Sequence, residues 1–152
     1  MNATAPNSAN PSPSPTDAIN DSLAALSGAL DHVGDRMFDG GFFDTVGKEL
    51  HRLHAAIRQH HAIGAFGAGR DALAIPPELA SDFARLRDEH STILGLLDRM
   101  IRGVDSMVDR PIEDKEVFVL RGREVVAFVR RHEAEEDRLF YLAMWRDTGG
   151  ES

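Results

Sequence analysis

The chain contains no cysteine. Disulfides, thiolate metal sites, iron–sulfur clusters and cysteine nucleophiles are therefore excluded, and any bound metal must be held by histidine and carboxylate. A run of the roughly 20 apolar residues that a membrane span requires is also missing. So is any excess of positive charge: 17 Lys and Arg stand against 25 Asp and Glu, for a net charge of −8. The basic residues are spread between acids along helical faces, which excludes broad electrostatic attraction to nucleic acid or to an anionic membrane. The stretch from Met1 to Pro15 has neither Lys nor Arg and no apolar run, so it is not a secretory signal. Residues 1–16, rich in Asn, Ser, Ala and Pro, read as a disordered tail. Cytoplasmic placement follows by default.

With 152 residues, 42% of them hydrophobic and 28% charged, the chain is long enough for one soluble domain with a modest core. Period-2 alternation is absent, whereas apolar residues recur at helical spacing. Four helices are predicted. The first starts after a Thr16-Asp17 cap and runs to about Phe38, where Gly40-Gly41 breaks it. The second runs from about Phe43 to Phe66 and ends in Gly64, Gly67 and Gly69. The third runs from Glu78 to about Val108. Asp109-Arg110-Pro111 makes a turn, and the fourth runs from Ile112 or Glu113 to about Arg146. The expected fold is all-α, an up-down-up-down four-helix bundle of two helical hairpins over residues 17–147, with a frayed end at 148–152.

Two patterns carry the chemistry. The fourth helix contains His132-Glu133-Ala134-Glu135-Glu136. His132 and Glu136 are four apart and share a face that is otherwise apolar: Val125, Val129, Leu139 and Ala143. The third helix contains Asp88-Glu89-His90, and His90 interrupts a stripe of Leu79, Phe83, Leu86, Leu94, Leu97 and Ile101. In an antiparallel hairpin, residues equidistant from the turn meet at one height. His90 lies 20 residues before Arg110 and His132 lies 22 after it; His60 lies 20 after Gly40. Three histidines and a glutamate from three helices therefore converge on one layer. Buried imidazoles and a carboxylate are costly unless something satisfies them, and a metal ion would satisfy all four. The alternative is that they pair with one another or with Arg87, Arg130 or Arg131 and bind no metal.

The same spacing puts His32 at the opposite end and His51 and His54 beside the core stripe, as surface or boundary residues. His61 either reaches the layer or points to solvent. Glu133 and Glu135 fall off the stripe and are expected in solvent. Phe83, Phe118, Phe128, Phe140 and Trp145 are expected in the core.

The segment Phe-Ala-Arg-Leu-Arg-Asp-Glu-His90, followed by Phe-Val-Arg-Arg-His132-Glu-Ala-Glu-Glu136-Asp-Arg-Leu-Phe-Tyr, resembles the hemerythrin/HHE cation-binding family over Phe83 to Arg146. The resemblance implies a four-helix bundle holding two iron ions. In it each hairpin supplies a histidine from its first helix and H-x-x-x-E from its second. The first half of the chain departs from that pattern. The helix-one histidine would fall near Ser22 or Leu23, and the partner of His60 would be position 64, which is Gly64. The resemblance thus implies a weakened dinuclear or a mononuclear centre with His60, His90, His132 and Glu136 as metal ligands. Its cofactor would be one or two iron ions, with another divalent metal as the alternative, and its partners the metal and O₂. Binding of O₂, redox sensing and iron handling are the functions implied. A metal-free bundle serving as an interaction or regulatory module is the competing function, and a metal-dependent enzyme the third. No residue is singled out as catalytic.

Overall fold

The computed structural model describes residues 14–31, 38–62 and 75–148. The described residues contain four long helices and no strand. These are α1 (Pro15–Asp31), α2 (Gly40–Ala62), α3 (Ala80–Val104) and α4 (Ile112–Thr148), with single 3₁₀ turns at Pro77–Leu79 and Met107–Asp109. Helix α1 packs on α2 and α4, and α3 packs on the same two. The four therefore form a closed ring of neighbours, the up-down-up-down bundle that short connections between amphipathic helices favour. No helix among the described residues is long and apolar enough to cross a membrane.

Local chemistry sets the helix ends. The start of α1 is a capping box: Ser14 Oγ accepts from the Asp17 backbone N–H at 3.1 Å, and the Ser14 N–H donates to Asp17 Oδ2 at 3.2 Å. Pro15 occupies the first helical position, where its missing N–H costs nothing. The expected Thr16-Asp17 cap is thus displaced to Ser14, and residues 15–16 of the expected tail belong to the helix. Gly40-Gly41 is not the break between α1 and α2. Asp39 caps α2 by accepting from the Phe42 N–H at 2.9 Å, so both glycines lie in the first turn. Phe38, two residues before α2, has φ 66°. A bulky residue there is strained, and aromatic packing holds it: the ring is buried and stacks on Phe43 at 6.2 Å and edge-on to Phe42 at 5.5 Å. Residues 32–37 and 63–74, which include His32, Val33, Met37, Gly64, Gly67 and Gly69, lie outside the described residues, as do 1–13 and 149–152.

The core falls into two apolar blocks. The larger runs from Ile19, Leu23, Leu26 and Leu30 of α1 through Val46, Leu50, Leu53 and Ile57 of α2 to Ile93 and Leu97 of α3 and Val125, Val126 and Val129 of α4. The smaller contains Phe83 and Leu86 of α3 with Leu139 and Ala143 of α4. Each Leu, Ile or Phe side chain buried this way contributes roughly 1.5–3 kcal/mol. On α3 the buried stripe passes through Ile93, Met100 and Val104. Leu94 and Ile101, the expected positions, are half-buried, because the helix presents its face slightly rotated from the predicted one. Trp145 is not core: it is 66% exposed and stacks on the equally exposed Tyr141.

Candidate metal centre

Between the two apolar blocks lies a thin polar layer. On α3 it falls between Leu86 and Ile93, and on α4 between Val129 and Leu139. It contains His60 from α2, His90 from α3, and His132, Glu133 and Glu136 from α4, all buried, with Glu136 only 1% exposed. Apolar walls above and below keep water out and lower the local dielectric, so any charge here interacts strongly with its neighbours.

Glu136 is the hub. Its Oε1 accepts from His60 Nε2–H at 3.0 Å. Its Oε2 lies 3.6 Å from His90 Nε2 and 3.5 Å from His132 Nε2. The imidazoles of His90 and His132 meet edge to face with centroids 4.6 Å apart. The other ring nitrogen of His132, Nδ1, donates to Glu89 Oε2 at 2.9 Å. A carboxylate can only accept, so this bond places the proton of a neutral His132 on Nδ1. Its Nε2 then presents a lone pair toward a carboxylate oxygen. The Nε2 atoms of His90 and His132 are buried and make no hydrogen bond. Electron-rich atoms that converge in a dry layer require a positive species among them, a proton or a metal ion.

The spacing suits a metal. Two ligand atoms each about 2.1 Å from one ion at an angle near 90–110° lie roughly 3.0–3.4 Å apart, close to the 3.5 and 3.6 Å separations seen here. His90, His132 and Glu136 offer three ligand atoms mutually within 4.8 Å. Two imidazoles and a carboxylate form a donor set suited to iron, zinc or manganese, and as a facial set they leave coordination positions open.

The charge balance of the layer follows from its burial. Burial alone would raise the Glu136 carboxyl, but the imidazoles of His132, His60 and His90 clustered around it outweigh that and hold the group well below the usual carboxylate range. Burial would likewise depress His132, and the Glu136 carboxylate beside it together with its bond to Glu89 reverse that, leaving it raised. Glu133 is pushed up by burial and by the adjacent Glu136 charge. His61 is half-buried and stacks face to face on His90, with ring centroids 3.6 Å apart. Burial and the neighbouring His90 lower it to about 4. It lines the layer from beside His90 and does not belong to the converging ligand atoms.

The structure therefore brings together the four residues singled out by spacing: His60, His90, His132 and Glu136. Of the metal-free alternative, the pairing of the layer's members with one another is present in the His60–Glu136 bond, and the pairing with arginine is not. Arg87, Arg130 and Arg131 are exposed, and no ion pair among the described residues joins them to it. His51 is exposed, and half-buried His54 pairs with Asp98 at 3.0 Å. Glu135 is held at the surface by Arg138 and Arg85.

Glu133 was expected in solvent and is 9% exposed. The buried face of α4 is wider than one stripe. Phe118, Val125, His132 and Leu139 repeat every seven residues, as do Gly122, Val129, Glu136 and Ala143, and a third series runs Val119, Val126, Glu133. All are buried, and the third series was the overlooked signal. Glu89 is the second missed residue. It is off the core stripe, yet it reaches His132 across the α3–α4 seam. Comparison with known protein families, with curated proteins and with solved structures finds no match to this chain.

Proposed function

We propose that this protein is a hemerythrin-like, non-haem metal-binding protein whose ion is iron, held by His90, His132 and Glu136 with His60 on the opposite oxygen of the same carboxylate. One observation carries the reading: two buried imidazole nitrogens without hydrogen bonds lie within 3.6 Å of one carboxylate oxygen, in a layer flanked by apolar blocks. Ferrous iron with open coordination positions supplies, when bound, O₂ binding or one-electron redox chemistry. The protein's part is to orient and to exclude. Glu89 fixes the His132 tautomer and ring angle. Glu136 supplies negative charge, and the flanking apolar blocks keep bulk water away. These parts suit reversible ligand binding or redox sensing.

The test is expression in iron-supplemented medium, followed by metal analysis and an ultraviolet–visible spectrum. Iron retained by the wild type and lost in Glu136→Ala is the expected result. A wild type that takes up no iron(II), even on anaerobic reconstitution, overturns the reading and leaves a metal-free bundle acting as an interaction module.

A further inference from the structure

A hollow of about 660 Å³ runs along the seam of α3 and α4, between the polar layer and the turn that joins the two helices. That volume falls within the roughly 300–1,000 Å³ of small-molecule sites. Its floor is apolar, made by Met100, Phe118 and Val125, all buried. Half-buried Met107 and Phe128 extend it toward either end. Gly103 widens it. A Cβ built there meets nothing within 4 Å, so close packing does not demand this glycine, although glycine weakens a helix relative to Ala or Leu. Two guanidiniums stand at the rim, Arg99 from α3 and Arg121 from α4. They lie 11 residues before and 11 after Arg110, so antiparallel helices carry them at about one height. Arg52, Arg85, Arg123 and Arg138 are paired with acids. Arg99 and Arg121 make no hydrogen bond and no ion pair among the described residues. Glu124 shares the rim and pairs with neither. The mouth therefore sets two positive charges against one negative, in a chain whose net charge is −8.

We propose that this hollow binds a monocarboxylate with an apolar tail, of the class of the medium-chain fatty acids. Its carboxylate sits between Arg99 and Arg121, and its tail lies on Met100, Phe118 and Val125 beside Gly103. Charge and shape both select that ligand. The planar guanidinium fork matches a carboxylate and pairs with it in two parallel hydrogen bonds. Methionine adapts to the outline of a flexible chain. Phe118 to Phe128 is ten residues of α4, about 15 Å at 1.5 Å per residue, which takes an extended chain of about ten C–C bonds of roughly 1.5 Å each. The inference stands apart from the metal-binding reading, since every residue it uses lies a helical turn or more from the polar layer.

Sodium decanoate, kept below the concentration at which it forms micelles, is titrated into the full-length metal-free chain. Calorimetry gives affinity and stoichiometry, and the methyl resonances of Met100 and Met107 locate the probe. One saturable site that shifts both methyls is the expected result. Octanoate, two methylenes shorter, is expected to bind about 4–16-fold more weakly, at two- to fourfold per methylene. Uncharged 1-decanol is expected to bind at least about tenfold more weakly than decanoate, because hydrogen bonds to charged groups carry the difference. Arg99→Gln with Arg121→Gln brings decanoate down to the level of decanol and leaves decanol unchanged. Glu124→Gln, which removes the competing acid, tightens decanoate alone. Gly103→Leu fills the hollow and abolishes binding of both probes, while far-ultraviolet circular dichroism confirms that it folds. Absence of saturable decanoate binding overturns the proposal. Equal affinity for decanoate and decanol overturns it too, since the arginines would then recognise nothing. Undiminished binding by Gly103→Leu would place the probe elsewhere and overturn it as well.

Discussion

At the scale of single residues, the layer works through protons placed on particular nitrogens. Glu89 is part-exposed, yet its bond to His132 Nδ1 decides which face of a buried imidazole is basic. Hydrogen bonds from His132 and Arg85 hold its carboxylate below the usual range despite some burial, so it stays an acceptor at neutral pH. Removing such a partner of a metal-binding histidine typically costs 10–100-fold in affinity. Glu89→Ala is therefore expected to weaken Co²⁺ binding within that range and to shift the ¹⁵N resonances of His132 toward a mixture of tautomers in the metal-free protein. Glu135→Ala, which removes a surface partner of the same Arg85, is expected to change affinity less than about twofold on the same scale. Equal effects of the two substitutions would deny Glu89 its positioning role. His61 yields a second prediction at this scale. Its folded pKa of about 4 lies below its ordinary 6.5, so the unfolded chain takes the proton first. Its contribution therefore erodes stability as pH falls from 6.5 toward 4. His132, whose folded pKa is raised, acts oppositely: its contribution is full below 6.5 and is lost as pH rises through the folded value. Urea denaturation of metal-free His61→Asn should show a flatter pH profile than the wild type between 6.5 and 4. A wild type and a variant that run parallel across that window would mean that His61 carries no such burden.

At the scale of elements, α4 is the organising piece. It is 37 residues long, it touches both α1 and α3, and it supplies three of the five side chains in the polar layer. Its close approach to α1 depends on Gly122. A Cβ built there would lie 2.9 Å from Leu30 Cδ1 and 3.3 Å from Met100 Cε, inside a core where Leu30 is fully buried. Gly122→Val is expected to lower stability by about 1–3 kcal/mol through overpacking, read as a lower urea midpoint with an unchanged slope. An unchanged midpoint would contradict the packing of α1 on α4 described here. The helices themselves were legible because apolar residues at 3.6-residue spacing leave few alternatives, and the level of His60, His90 and His132 followed from distances to turns. Glu133 was not legible. A one-residue-wide stripe describes a helix touching one partner, whereas α4 touches two and buries a broader arc. The helical start at Gly40-Gly41 was hidden for a different reason. Tertiary aromatic packing there overrides the local preference of Gly40-Gly41 for a break, and side-chain packing of that kind leaves no mark in propensities.

At the scale of the whole molecule, the polar layer divides what would otherwise be a continuous core. Its position between two apolar blocks makes it costly to the empty fold and valuable to the loaded one. A cation that binds the native chain and not the unfolded one stabilises by about 2.7 kcal/mol at a concentration 100 times its dissociation constant. The metal-free protein forgoes that term while still burying Glu133 beside Glu136. Replacing one member of a buried ionic cluster with an apolar group of similar size often leaves stability unchanged or raises it. Glu133 is the right member to replace, because the hydrogen bond given by His60 to Glu136 and the one made by His132 to Glu89 do not involve it. Glu133→Leu is therefore expected to raise the stability of the metal-free bundle by about 1 kcal/mol and to keep the gain produced by saturating iron(II), since His90, His132 and Glu136 remain. Thermal unfolding with and without the ion measures both quantities in one experiment. A variant that loses metal-free stability would mean that Glu133 helps hold the empty fold together.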